Sequence, residues 1–254
     1  GYDILPLLGE QLHSDDECWR KTSITVYGKI GLDPSSVQGL QERFASEWND
    51  EIKDLIRATL SEGGFELPLD PTILTTLDVE TARKVLALIT EDDENLSLNS
   101  LTELSVEVAE VLIEVPCCLI LDQLGIVSDD VIEVLARHPH PLSLDGLQFL
   151  SETAANSLAG HSCGLYLNGL SGLELPVAQM ISQRSGGAGI VMGGIATVSE
   201  EVAIALASME ANVLLAGLTE LDDSAGHLGL LTKLAAQDSD LQLNGLTSLT
   251  EDMA

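Results

Sequence analysis

One phrase recurs along most of this chain. It reads Leu142-Ser-Leu144-Asp145-Gly-Leu147-Gln-Phe-Leu150-Ser151-Glu-Thr-Ala154-Ala-Asn-Ser-Leu158, with apolar residues at the start and at offsets 2, 5, 8, 12 and 16, and Ser or Thr at offset 9. The same pattern starts at Leu96, Leu119, Leu165, Ile190, Val213 and Leu241, and successive starts lie 23, 23, 23, 25, 23 and 28 residues apart. An earlier copy starts at Leu69, with Leu67 as an alternative first residue, and a degenerate one can be drawn over residues 24–40 from Ile24. A fixed period of this length constrains the fold more than any local propensity. Each unit is too small to bury its apolar face alone, so consecutive units must stack into one continuous core.

Each unit has an internal logic. Leu-x-Leu alternates with period two, which is a short strand with both leucines turned inward. Asn or Asp followed by Gly then turns the chain. Ser105, Ser128, Ser151, Ser199 and Thr250 sit where a helix N-cap is needed, several followed by Asp or Glu, and Glu174 occupies that place in the repeat from Leu165. Offsets 12 and 16 then form one helical face. Before the repeats, Ser46–Leu60 reads as a helix with Ile52, Leu55, Ile56 and Leu60 on one side. The expected organisation is a divergent, largely helical N-terminal cap over residues 1–64 and an α/β solenoid of about 23-residue strand–turn–helix units over 65–254, its last repeat incomplete.

These residues resemble the leucine-rich repeat family, and most closely its cysteine-containing and ribonuclease-inhibitor-like branch. The resemblance covers about residues 65–254. It implies a parallel sheet on a concave face, helices on the convex face, and protein ligands held on the sheet. One departure stands out. The ladder position that is Asn or Cys in the family is apolar here, as Leu101, Leu124, Leu147, Leu170, Ile195, Leu218 and Leu246.

Composition narrows the partner. Lys and Arg number 11 against 41 Asp and Glu, a formal charge of −30. That excess argues against nucleic acid and anionic membranes, whose phosphates must be met by cations, and favours a basic partner. No apolar run approaches the roughly 20 residues of a membrane span. Gly1-Tyr2-Asp3 does not open a secretion signal, and the four cysteines, Cys18, Cys117, Cys118 and Cys163, suggest no paired framework, so a cytoplasmic setting with reduced thiols is expected.

The residue between the two strand leucines should face away from the core. Along the array it is Ser97, Ile120, Ser143, Tyr166, Val191, Leu214 and Gln242. Stacked strands make this a continuous row, with Tyr166 its best anchor because aromatic residues dominate binding hot spots. Beside it runs a polar row, Asn99, Asp122, Asp145, Asn168 and Asn244, interrupted by Gly193 and Ala216. Turn chemistry explains the polar row more economically than a cation site does. Ile120, Ser143, Tyr166, Val191, Leu214 and Gln242, with Asp122, Asp145 and Asn168, form the expected partner-binding set.

Catalytic and metal readings are weaker. Cys117, His140 and Cys163 lie two residues before three successive strands, but two strand spacings separate the cysteines by ~10 Å against ~4 Å between ligands of one zinc. Gly160-His-Ser162-Cys-Gly164 matches a nucleophile elbow in letters, yet helix precedes and strand follows, the reverse of the required order. Gly187-Ala-Gly189 through Gly193 precedes a strand where a dinucleotide loop would follow one. Asp238-Ser-Asp240 does not complete a calcium loop. Asn95-Leu-Ser97 is a glycosylation sequon that matters only in a secreted eukaryotic protein. The expectation is a non-enzymatic module without cofactor or metal, binding a protein or peptide. The alternative is a self-assembling element, or part of a longer array, associating through an uncapped C-terminal end where Glu251-Asp-Met253-Ala254 stops partway into a repeat.

Overall fold

The computed structural model describes residues 5–47, 49–65, 69–90, 92–184 and 188–237. The chain divides into two compact units, Gly1–Asp70 and Pro71–Ala254. The repeat from Leu241, including Gln242, Asn244 and Thr250, lies outside the described residues, as do Leu67, Gly187, Asp238 and Asp240.

The first unit is helical: α1 Leu5–Leu12, α2 Glu17–Ile30, α3 Pro34–Ser46 and α4 Asp50–Glu62. Its helix starts are written in the sequence. Asp16 accepts from the Cys18 N–H at 2.8 Å, Asn49 from the Ile52 N–H at 3.3 Å, and Asp33 forms a capping box with Ser36 behind Pro34. The core joins Leu8, Leu12, Ile24, Tyr27, Leu40, Phe44, Ile52, Ile56 and Leu60. Residues 24–40 hold no strand, so the degenerate repeat expected from Ile24 is absent. Ile24-Thr-Val26-Tyr27 has strand propensity, but Ile24 and Tyr27 stand three apart on one buried helical face, and that burial outweighs the few tenths of a kcal/mol per residue at stake in propensity.

Arg20 and Glu47 are almost wholly buried in this unit, 3.0 Å apart from Nε to Oε2. Arg43 adds a second cation, its Nη2 2.8 Å from the same oxygen, and the Asn49 N–H donates to Oε1 at 3.1 Å. Arg20 Nη1 donates to the carbonyls of Ser14 and Asp15, at 2.9 and 2.8 Å. Burial opposes the Glu47 charge, yet the Asn49 N–H and the two arginines prevail and hold its carboxyl below the usual range.

The second unit is a leucine-rich-repeat-like α/β solenoid. A 3-10 turn, Pro71–Ile73, and α5 Val79–Leu88, capped by Asp78 on the Thr81 N–H at 2.7 Å, precede six strand–helix repeats. Among the described residues the copy drawn from Leu69 therefore has its helix but no strand, in keeping with Pro71, which lacks the N–H a ladder needs. Ser100 Oγ instead ties the next repeat to the Thr72 carbonyl at 2.6 Å. Then follow β1 Asn95–Ser97, α6 Val106–Leu112, β2 Cys118–Ile120, α7 Asp129–Leu135, β3 Leu142–Ser143, α8 Glu152–Ala159, β4 Leu165–Tyr166, α9 Leu175–Ile181, β5 Ile190–Val191, α10 Glu200–Ala207, β6 Val213–Leu214 and α11 Ala225–Ala235.

The six strands form one all-parallel sheet in chain order. Its register equals the sequence period: Leu96, Leu119, Leu142, Leu165, Ile190 and Val213 face one another in succession. The two extra residues between Leu165 and Ile190 do not disturb it, because α9 and α10 start at the same offset and the insertion falls after Ile181. Offsets 0, 2 and 5 are buried in all six repeats. So are offsets 12, 13 and 16 of the first five, such as Val108, Ala109 and Leu112. Ser105, Ser128, Ser151 and Ser199 each accept the N–H three residues on, and Ser224 does the same for His227. Glu174 makes no side-chain cap. Among the described residues, no helix is long and apolar enough to cross a membrane.

Candidate functional site: the sheet face and its ladder

The residues between the strand leucines lie side by side. Ser97, Ile120, Ser143, Tyr166, Val191 and Leu214 pair in register across the whole sheet. They are not equally open. Tyr166 is 40% exposed, while Ser97, Ile120, Val191 and Leu214 are half-buried. Ser143 corrects the expectation, because it is buried at 7% and turned aside, its Oγ donating to Asp122 Oδ1 at 2.5 Å. Between the larger Ile120 and Tyr166 a serine lies low, and a buried hydroxyl needs a partner. The most open member of the row is therefore Tyr166, with the half-buried Val191 and Leu214 next to it in register. Gln242 lies outside the described residues.

The polar row does something the sequence did not reveal. Each side chain reaches forward to the backbone of the next repeat. Asn99 Oδ1 accepts the Asp122 N–H at 3.3 Å, and Asp122 Oδ1 accepts the Asp145 N–H at 3.2 Å. Asp145 Oδ1 accepts the Asn168 N–H at 2.8 Å, and Asn168 Oδ1 accepts the Gly193 N–H at 2.8 Å. Asn168 Nδ2 also donates to Asp145 Oδ2 at 2.9 Å. The apolar residues at offset 5 are thus compensated by a side-chain ladder at offset 3, which satisfies turn N–H groups that burial would otherwise strand. Asn168→Ala removes both of its rungs and leaves the Gly193 N–H without an acceptor. It should cost about 1–3 kcal/mol, read as a lower denaturant midpoint; an unchanged midpoint would show that the ladder adds no stability.

Histidines in the helix-to-strand loops are held by backbone carbonyls of the preceding repeat. His138 is buried, with Nδ1 3.2 Å from the Ile113 carbonyl oxygen and Nε2 3.0 Å from that of Cys117. Burial pushes this ring below the usual histidine range. His161 sits one repeat further, Nδ1 3.2 Å from the Ala136 carbonyl, and Arg184 one further still, donating to the carbonyls of Leu158 and Cys163. This column plugs the helix-to-strand loops. Cys117 is buried, Cys163 Sγ lies 3.0 Å from the Pro139 carbonyl, and no group of three or more His, Cys, Asp or Glu is placed to hold a metal among the described residues. Ser162 is exposed in the loop from α8 to β4.

An Asp–His–Ser set that the sequence did not suggest occurs at the start of α11. His227 Nδ1 is 2.6 Å from Asp222 Oδ1, but Nε2 faces the Val198 carbonyl at 3.0 Å, and Ser224 Oγ is occupied as the helix cap. Hydrogen bonds from Ser224 and His227 bring the Asp222 carboxyl down to about 2. No ring nitrogen is left to activate the serine, so the set is a helix cap.

Comparison of the chain with family models, curated proteins and solved structures returns no match.

Proposed function

We propose that this chain is a non-enzymatic binding module, built from divergent leucine-rich repeats, that presents its sheet face to a protein or peptide. The observation that carries the reading is the in-register strip of Tyr166, Val191 and Leu214. An aromatic and two aliphatic side chains stand adjacent on a rigid sheet, where water would otherwise favour polar residues. The Asn and Asp rungs along one side form a polar border, the usual surround of an apolar contact. What supports reading the repeats as members of that family is the shared phase of strand, capping serine and helix, with the ladder moved from offset 5 to offset 3.

The test is a pair of substitutions, Tyr166→Asp with Leu214→Asp, compared with the unaltered chain in chemical cross-linking from its native cell extract. Truncating a hot-spot aromatic costs at least about 2 kcal/mol, roughly 30-fold in affinity. Partners captured by the unaltered chain should be lost from the variant, provided its circular dichroism is preserved. Equal capture by both would sink the reading.

A further inference from the structure

The two most exposed large apolar side chains among the described residues are not on the sheet. Ile126 is 82% exposed and Phe149 is 69% exposed. Both stand at offset 7 of consecutive repeats, in the strand-to-helix connection. The same offset holds Glu103, Gly172, Thr197 and Glu220 elsewhere in the array, so the repeat pattern does not ask for an apolar residue there. Ile126 and Phe149 flank a cleft of about 60 Å³, walled by Ile132, Leu147 and Ala154 and reached by Asp129. Two large side chains left in water forgo burial worth about 1.5–3 kcal/mol each.

The surroundings say what could cover them. Asp129 and Asp130 open α7 and Glu152 opens α8, three or four residues along the chain from Ile126 and Phe149, and Asp129 lines the cleft. Asp129 Oδ1 accepts from Ser151 Oγ at 2.6 Å, and Asp130 and Glu152 are exposed. Residues 92–183 contain no Lys and a single Arg, Arg137, which pairs with Glu133 at 3.9 Å. Across Pro71–Ala254 there are 27 Asp and Glu against 5 Lys and Arg. A second copy of this chain would bring one acidic rim against another, which costs energy. Arg20, Arg43 and Arg57 are held in ion pairs inside their own unit.

We infer that the Ile126–Phe149 edge docks a segment of a partner protein in which apolar side chains alternate with Lys or Arg. The apolar groups enter the cleft and the cations meet Asp129, Asp130 and Glu152. This is a second surface, on the loops rather than the sheet, and it does not depend on the row around Tyr166.

Fluorescence anisotropy at physiological ionic strength tests it on the full chain with two synthetic probes. One is a peptide of interspersed Leu and Arg; the other replaces every Leu by Ser at the same charge. The Leu/Arg peptide should bind, and Ile126→Ser with Phe149→Ser should weaken it at least tenfold while the Ser/Arg peptide is unaffected. Asp129→Asn with Asp130→Asn is a second variant that leaves the apolar pair intact, and it should weaken the Leu/Arg peptide too. Tyr166→Asp should bind as the unaltered chain does, which separates this surface from the sheet face. Equal binding of the Leu/Arg peptide by the unaltered chain and the Ile126/Phe149 variant would show attraction by charge alone and overturn the proposal. Absence of binding would overturn it as well. So would a dimer in sedimentation that the Ile126/Phe149 variant abolishes, since the occupant would then be a second copy.

Discussion

Glu47→Gln is expected to cost the N-terminal helical unit about 3–5 kcal/mol, because it leaves the Arg20 guanidinium buried without a counter-charge. Arg20 is 2% exposed and cannot recover water by a rotamer change, and the Ser14 and Asp15 carbonyls that accept from it carry only partial charge. A unit of 70 residues has a total stability on the order of 4–10 kcal/mol, so the loss leaves it barely folded. Hydrogen exchange read over α2 and α3 should show protection collapse there. A double variant, Arg20→Met with Glu47→Met, should lose less than the single one, since a matched apolar pair removes both desolvation penalties. Similar loss in the two would mean that shape rather than charge is at stake. The same carboxyl sets a pH dependence. Its folded value lies below the unfolded 4.5, so its stabilisation is complete above that value and disappears as pH falls through the folded one. Gln at 47 should flatten this part of the acid-denaturation curve.

Gly169→Ala and Gly172→Ala, three residues apart in one loop, are expected to move stability in opposite directions. A Cβ at Gly169 would collide with the Asp145 carbonyl oxygen and lie 2.8 Å from that of Leu147. Both obstacles are backbone of the previous repeat, tied into the sheet and the ladder, so neither can swing away. The overpacking penalty is about 3 kcal/mol, against roughly 0.4–1 kcal/mol gained by stiffening the unfolded chain. The net loss is therefore about 2–3 kcal/mol. At Gly172 nothing lies within 4 Å of the added carbon, leaving only the gain. Urea unfolding of the two variants reads this directly. Equal midpoints would mean that turns can part at little cost. Gly146, Gly194 and Gly217 meet the same obstacle, which is why Gly recurs at offset 4 from the third repeat onward.

The strands, helices and caps of the second unit could be read from the chain because one period states each of them several times over. A serine at offset 9 and an apolar residue at offset 12 mean little once; repeated in step with Leu-x-Leu, they fix the phase of every element. The first unit has no such repetition. The helix expected over Ser46–Leu60 was legible from its apolar spacing, although it begins at Asp50, because Ser46 ends α3 and Asn49 caps α4; Ile24–Tyr27 looked extended until the packing of α2 on α4 turned it into a buried helical face. At the candidate site, the row's position followed from the alternation of the strand, but its depth did not. Whether Ser143 stands out or sinks depends on Ile120 and Tyr166 beside it and on the Asp122 carboxylate, which come from three different repeats. The ladder was visible as a row of Asn and Asp yet read as local turn chemistry, since nothing in one repeat says that its side chain bonds to the next. Ile126 and Phe149 were detectable in principle as apolar residues at an offset that is elsewhere polar or small.

The rungs onto backbone N–H groups all point toward the C-terminus, and among the described residues they stop. Among the described residues Gly193 receives the last one and has no side chain to pass it on, and Ala216 stands where the next would begin. Between the repeats from Ile190 and Val213 the turn is held by strand bonds and by the Thr219 N–H and hydroxyl on the Ala196 carbonyl. Under a pulling force the array should therefore behave as a zip with a preferred starting tooth. Optical-tweezer extension from the C-terminal side should release the segment beyond Gly193 at a lower load than the rung-bearing repeats before it, giving a stepwise rather than uniform rip.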